Sequence, residues 1–202
     1  MASQKILIVT GLSGAGITTS LKILEDMGYE TIDGVPLSLI SQLMGKPAPL
    51  AIGVDIRTRG FGVEPLLEEL DQLKTRTELD ISLVFMDCDD EIIERRYVET
   101  RHRHPLADDR PVSDGIRHER QLLAPLRERA DLVIDTTAMA IKDCKRILQG
   151  NFALDDQKNL SIFVTSFSFK KGIPREADLV FDVRFLRNPY YDISLRPTYG
   201  AR

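Results

Sequence analysis

Apolar residues along the chain fall into two kinds of pattern. Short unbroken runs occupy Ile6–Val9, PLAIGVDIR (49–57), ISLVFMD (81–87) and ADLVIDT (130–136), with a shorter one at YETID (29–33). Runs of that length predict strands covered on both faces, as in a parallel sheet. Between them lie stretches of helical periodicity: SLKILEDMG, stopped by Gly28; SLISQLM, opened by Pro36; PLLEELDQLK, with Leu66, Leu67, Leu70 and Leu73 on one face; EIIERRYVETR; and MAIKDCKRIL. Strand and helix in alternation predict right-handed βαβ units and a three-layer α/β fold with a mainly parallel sheet.

Two regions depart from this alternation. From Arg101 to Arg120 the chain is basic, bears His102, His104 and His118, and is broken by Pro105 and Pro111. It reads as a mobile flap joining two helices near a ligand site. Beyond Gly150, NFALDDQKN reads as a linker, SIFVTSFSFKKGIP opens a new unit, ADLVFDVR (177–184) supplies one more strand, and Pro189–Arg202 is irregular. The expected division is a domain over 1–150 followed by 151–202, a linker and the start of a truncated C-terminal α/β unit. Too few elements lie in the second part to bury a core of their own.

The first strand leads into the stretch around which the chain is organised. Gly11, Leu12, Ser13, Gly14, Ala15, Gly16, Ile17, Thr18 and Thr19 follow the apolar run and enter the first helix. Strand, glycine-rich loop and helix in that order predict a phosphate-binding loop, whose amides form an anion nest at the positive end of a helix. Thr18 stands where the pattern G-x-x-x-x-G-K-[ST] places a hydroxyl on Mg²⁺. Ile17 stands where that pattern has lysine, so the point charge that meets the β- and γ-phosphates is missing. Loss of one such contact costs about 1.5–3 kcal/mol of binding. The loop therefore predicts phosphate binding with weakened hydrolysis.

Charge and cysteine usage narrow the classes. The net charge is −4, but from Leu160 onward there are seven Lys/Arg against four Asp/Glu, together with five of the eight Phe. Lys170, Lys171, Arg175, Arg184, Arg187 and Arg196 alternate there with aromatics, a pattern suited to unstacked bases and phosphate backbones, or equally to a small unit with its rings packed inward. Cys88 and Cys144 share no metal-ligand spacing, which fits a reducing, cytoplasmic setting. No apolar run reaches membrane-spanning length, and the early first strand leaves no room for a signal peptide.

Ligands of open α/β sheets bind beyond the carboxyl ends of strands, and here four strands end in Thr10, Asp33, Asp55 and Asp87. Asp87 follows SLVFM as a Walker-B carboxylate holding Mg²⁺ would, or as a helix N-cap would. Asp33 is a candidate general base beside the loop, or simple turn chemistry. Asp55 with Arg57 reads as a contact to a guanine or ribose, or as an ion pair. Arg95, Arg96, Arg101 and Arg103 cluster before and within the flap, where closure would bring them to phosphate, although a solvated helix face is the commoner fate of such charges.

Taken together, GLSGAGITT, LEDMGYETIDGVP, VDIRT, LVFMDCDDEIIERRYVETRHRHPL, ERQLLAPLRERADLVIDT and SFSFKKGIPREADLVFDVRFLRNPYY resemble the RNase adapter protein family, the RapZ/YvcJ-like nucleotide-binding proteins, over nearly the whole chain. The resemblance implies a P-loop domain that binds ATP or GTP with Mg²⁺ and hydrolyses them weakly. It places the ATP motif on Gly11–Thr18 and a GTP-associated motif on Asp55, Ile56, Arg57 and Thr58. It also implies a small regulatory RNA and an endoribonuclease as partners, an amino-sugar phosphate as signal and a C-terminal domain with a TGGxHRS-type loop, of which this sequence carries the opening. Ile17 departs from the family pattern at the loop lysine, and Gly34 stands where the family has asparagine. Two other readings compete: a small-molecule kinase with the flap as lid and Asp33 as base, and a nucleotide-blind adapter with a vestigial loop. A homo-oligomer fits all of them.

Overall fold

The computed structural model describes residues 3–45, 47–100, 103–154, 164, 166–169, 172–173 and 177–186. Five parallel strands form one sheet in the order β2-β3-β1-β4-β5. They are β1 (Gln4–Gly11), β2 (Glu30–Asp33), β3 (Leu50–Gly53), β4 (Leu79–Asp87) and β5 (Leu132–Asp135). β1 is central, with Ile6 opposite Leu50 on one side and Gly11 opposite Met86 on the other. Ile6, Ile8, Ile52, Leu83, Val84, Phe85 and Met86 are almost wholly buried, the consequence of helices covering both faces.

Those helices are α1 (Ile17–Asp26), α2 (Val63–Lys74), α3 (Asp90–Thr100), α4 (Val112–Arg129) and α5 (Ile141–Phe152). α1 stops where the sequence places a stop. Gly28 takes φ +96°, its N–H donates to the Glu25 carbonyl, and the Tyr29 N–H donates to Leu24, a left-handed cap that closes the last turn. α2 buries Val63, Leu66, Leu70 and Leu73, carries Glu64 in its first turn and ends on Lys74, charges that match its dipole.

The structure corrects the sequence reading in three places. Residues 37–43 form a 3-10 helix, Leu37–Leu43, rather than an α-helix. Its buried residues, Leu37 and Ile40, are three apart, the spacing that a three-residue turn stacks on one side. The second half of the flap expected over 101–120 is helix, since α4 begins at Val112, and 103–111 remain as a connecting segment among the described residues. The strand expected over 177–184 is not formed; these residues run irregularly, with Leu179, Phe181 and Val183 exposed.

The chain divides into two compact units, Met1–Ser166 and Phe167–Arg202. In the second, the Phe167 and Phe169 rings lie 5.0 Å apart, and the Arg184 guanidinium sits 4.3 Å above the Phe169 ring while pairing with Asp182. Lys170, Lys171, Arg175, Arg187 and Arg196, like Arg101 and His102, lie outside the described residues. Among the described residues no helix is long and apolar enough to cross a membrane.

Candidate functional site

The loop between β1 and α1 is shaped by where its backbone bonds go. The Leu12 N–H donates to Met86 O (3.1 Å), and the Ala15 N–H to Leu12 O (2.9 Å). Three loop carbonyls are held by protein donors: Gly14 O by Arg96 Nη1 (2.8 Å), Ala15 O by Thr136 Oγ1 (2.8 Å) and Gly16 O by the Ser20 N–H (2.9 Å). The N–H groups of Gly14, Gly16, Ile17, Thr18 and Thr19 have no protein acceptor among the described residues. A helix N-terminus with free amides is an anion site in waiting.

Glycine is required here for two different reasons. A Cβ on Gly11 would lie 2.1 Å from Met86 O, so the close approach of β1 to β4 excludes any side chain. Gly16 takes φ +110° and a Cβ there would meet nothing within 4 Å, so its glycine is set by conformation alone. Gly34, at φ +74°, occupies the left-handed region that asparagine also tolerates.

These amides border a cavity of about 380 Å³. Ser13, Gly14, Gly16, Ile17, Thr18 and Thr19 form one side, Asp55 and Arg57 follow β3, and Arg96, Tyr97, Thr100, Arg103 and Pro105 form the far wall. Asp55 is buried and holds Arg57 through both the main-chain N–H (2.8 Å) and Nε (2.9 Å), while Thr58 Oγ1 accepts the Asp55 N–H (3.0 Å). Arg103 lines the cavity with no hydrogen-bond or ion-pair partner among the described residues. The cavity is therefore cationic even though Ile17, buried at the start of α1, brings only an apolar side chain into it.

The structure sorts the remaining candidates. Leu12 and Ala15 are buried beneath the loop, Ile56 packs on the core, and Thr58 braces the Asp55 turn; none of them lines the cavity. Asp33 is exposed at the end of β2, against Gly53, and does not line the cavity, although its charge reaches Arg57. Arg95 lies on a solvent face with Glu99.

Asp87 does not line the cavity. It is fully buried, and both carboxylate oxygens are occupied. Oδ1 accepts Arg120 Nη1 (2.8 Å) and the Cys88 N–H (2.8 Å), and Oδ2 accepts Arg127 Nε (2.9 Å). Burial by itself would raise its pKa, but the bonds to Arg120 and Arg127 outweigh it and hold the carboxyl below its ordinary range. The carboxylate at the end of this apolar run is paired with two guanidinium groups on α4.

Sequence reasoning missed Glu119 and Thr136. Glu119 is fully buried on α4 and accepts the Ser13 Oγ–H (2.7 Å), the Ser13 N–H (3.1 Å) and a bond from His104 Nε2 (3.0 Å). A charged residue in register with Ile116, Leu123 and Leu126 was the available signal. Among the described residues no group of His, Cys, Asp or Glu side chains assembles a metal site, so a magnesium ion here would rest on Thr18, water and ligand phosphates.

A parallel sheet ordered around β1, with a glycine-rich loop and free helix amides at its carboxyl end, defines a P-loop fold of the kinase type. The likeness extends to solved structures: shikimate kinase from Acinetobacter baumannii (TM-score 0.54, 20% identity, 72% of this chain and 92% of that one) and from Bacteroides thetaiotaomicron (TM-score 0.53, 15% identity, 74% and 99%). The chain belongs to the RapZ family, matching the RapZ-like N-terminal domain over residues 4–156 and the RapZ C-terminal domain over 160–202. It is similar to proteins named nucleotide-binding protein from Paramagnetospirillum magneticum (54% identical over 98% of this chain), Rhodospirillum centenum (54%, 98%) and Rhodospirillum rubrum (50%, 98%). It spans 66%, 60% and 64% of their respective lengths.

Proposed function

We propose that the first unit binds ATP or GTP with Mg²⁺ and acts as a regulatory nucleotide switch of the RNase-adapter type, with weak hydrolysis at most. The observation that carries this reading is the set of unpaired amides at Gly14, Gly16, Ile17, Thr18 and Thr19, which border a cavity while the carbonyls of Gly14, Ala15 and Gly16 are held by protein donors. Phosphate oxygens take those amides, Thr18 contributes its hydroxyl to magnesium, and Arg103 and Arg96 supply cationic charge in place of a loop lysine. Arg57, held by Asp55, is placed to contact the sugar or base.

The kinase reading draws on the fold alone, and its proposed base, Asp33, stands outside the cavity wall. A small RNA and an endoribonuclease as partners, cytoplasmic action and self-association belong to the same proposal, taken for the whole protein.

Calorimetric titration with Mg-ATP and Mg-GTP tests it. The chain should bind at least one of them, Arg103→Gln should weaken binding by about tenfold or more, and Ile17→Lys should strengthen it by a similar factor. No heat from either nucleotide at millimolar concentration, with or without the restored lysine, overturns the proposal.

A further inference from the structure

Among the loop amides with a protein acceptor, only that of Ser13 is taken by a side chain among the described residues: it points to the buried Glu119 carboxylate, accepted at 3.1 Å by each oxygen. His104 completes the arrangement. Its Nδ1 accepts the Leu106 N–H (3.1 Å), which leaves the ring hydrogen on Nε2, directed at Glu119 (3.0 Å). Two bonds from Ser13 groups and one from His104 thus converge on the Glu119 carboxylate, and the imidazole is the bridge to the connecting segment.

A second feature shows how closely that segment is seated. Gly115 lies inside α4, where glycine is a poor helix former. A Cβ there would fall 2.7 Å from His104 Nδ1 and 2.8 Å from Ala107 Cβ, so the glycine is what lets residues 104–107 reach the helix. The His104 ring also leans on Tyr97, whose edge stands 3.3 Å from where a Cβ on Gly14 would be. On either side of this buried histidine, Arg103 and Pro105 line the cavity.

We propose that Glu119 and His104 are positioning residues for the nucleotide site. One buried carboxylate holds the phosphate loop at Ser13 and, through His104, the wall that carries Arg103, so the two sides of the cavity are set as one body. The inference rests on the nucleotide reading above and adds what makes loop and wall act together.

The test is a double-mutant cycle in the full chain, reading Mg-ATP affinity for the wild type, Arg103→Gln, Glu119→Gln and the pair. Amide exchange is followed on the nucleotide-free proteins alongside. Each single change should weaken binding by about tenfold, and the pair should be no weaker than Glu119→Gln alone. In Glu119→Gln the Ser13 and Leu106 amides should both exchange about tenfold faster while those of Ile8 and Leu83 stay protected. Additive losses in the cycle, or faster exchange at Ser13 with Leu106 unchanged, overturn the proposal. Ser13→Ala is the milder variant if Glu119→Gln does not fold. It removes the Oγ bond and keeps the backbone donor, and Leu106 exchange must rise with it or the link is refuted. If the wild type binds no nucleotide the functional reading fails, and the exchange data still decide the link.

Discussion

The carboxyl ends of β1 and β4 are neighbours in the sheet, Gly11 lying opposite Met86, and both follow apolar runs that lead into polar residues. At the end of β1 the polarity stays available: the amides of Gly14, Gly16, Ile17, Thr18 and Thr19 have no protein acceptor among the described residues and border a cavity. At the end of β4 it is consumed, since Asp87 is fully buried between Arg120 and Arg127. The two ends depend on each other. The loop is held down by Leu12 bonded to Met86 and by Thr136 bonded to Ala15 O and Asp87 O, so the closed end is the platform on which the open end stands. Polar character at a strand terminus is therefore no guide to ligand binding until its partners are known.

The contrast is broken most strongly at the closed end. Replacing Arg120 and Arg127 together with alanine leaves the Asp87 charge buried without its guanidinium partners. It should cost about 3–5 kcal/mol in urea unfolding, whereas adding Asp87→Ala to the pair should recover part of the loss. At the open end, Gly11→Ala forces a Cβ into Met86 O and should cost about 3 kcal/mol. Gly16→Ala meets only an unfavourable φ and should cost about 1 kcal/mol, with nucleotide affinity falling more than stability. A reversal of that order would mean the loop packs differently. The mildest handle is acid. The pKa of Asp87 lies below its unfolded value of about 3.9, so its stabilising contribution is complete above about pH 4 and is lost as pH falls through the folded value. Urea midpoints measured from pH 5 downward should fall less steeply in Asp87→Asn than in the wild type.

Much of this was legible in the sequence because strand and helix periods differ. The runs ending at Thr10, Asp55, Asp87 and Thr136 became or flanked β1, β3, β4 and β5, and Gly28 ended α1 as a glycine cap does. α4 was hidden because Gly115 and Pro125 inside it lower its propensity, and because Glu119 occupies a place on its buried stripe where an apolar residue is expected. The fate of Asp87 was illegible for a different reason. Arg120 and Arg127 are 33 and 40 positions away, and only the fold brings α4 across the end of β4. Of the arginines marked before and within the flap, the cavity takes Arg96 and Arg103 and leaves Arg95 in solvent, a choice made by helix phase and by the anchoring of His104.

The most direct measurement follows individual backbone amides of the isotope-labelled chain while Mg-ATP is added. The account predicts that the resonances of Gly14, Gly16, Ile17, Thr18 and Thr19 shift together as the nucleotide binds, while that of Ser13, already committed to Glu119, moves little. Binding that leaves those five amides unmoved, or that moves Ser13 most, would contradict it.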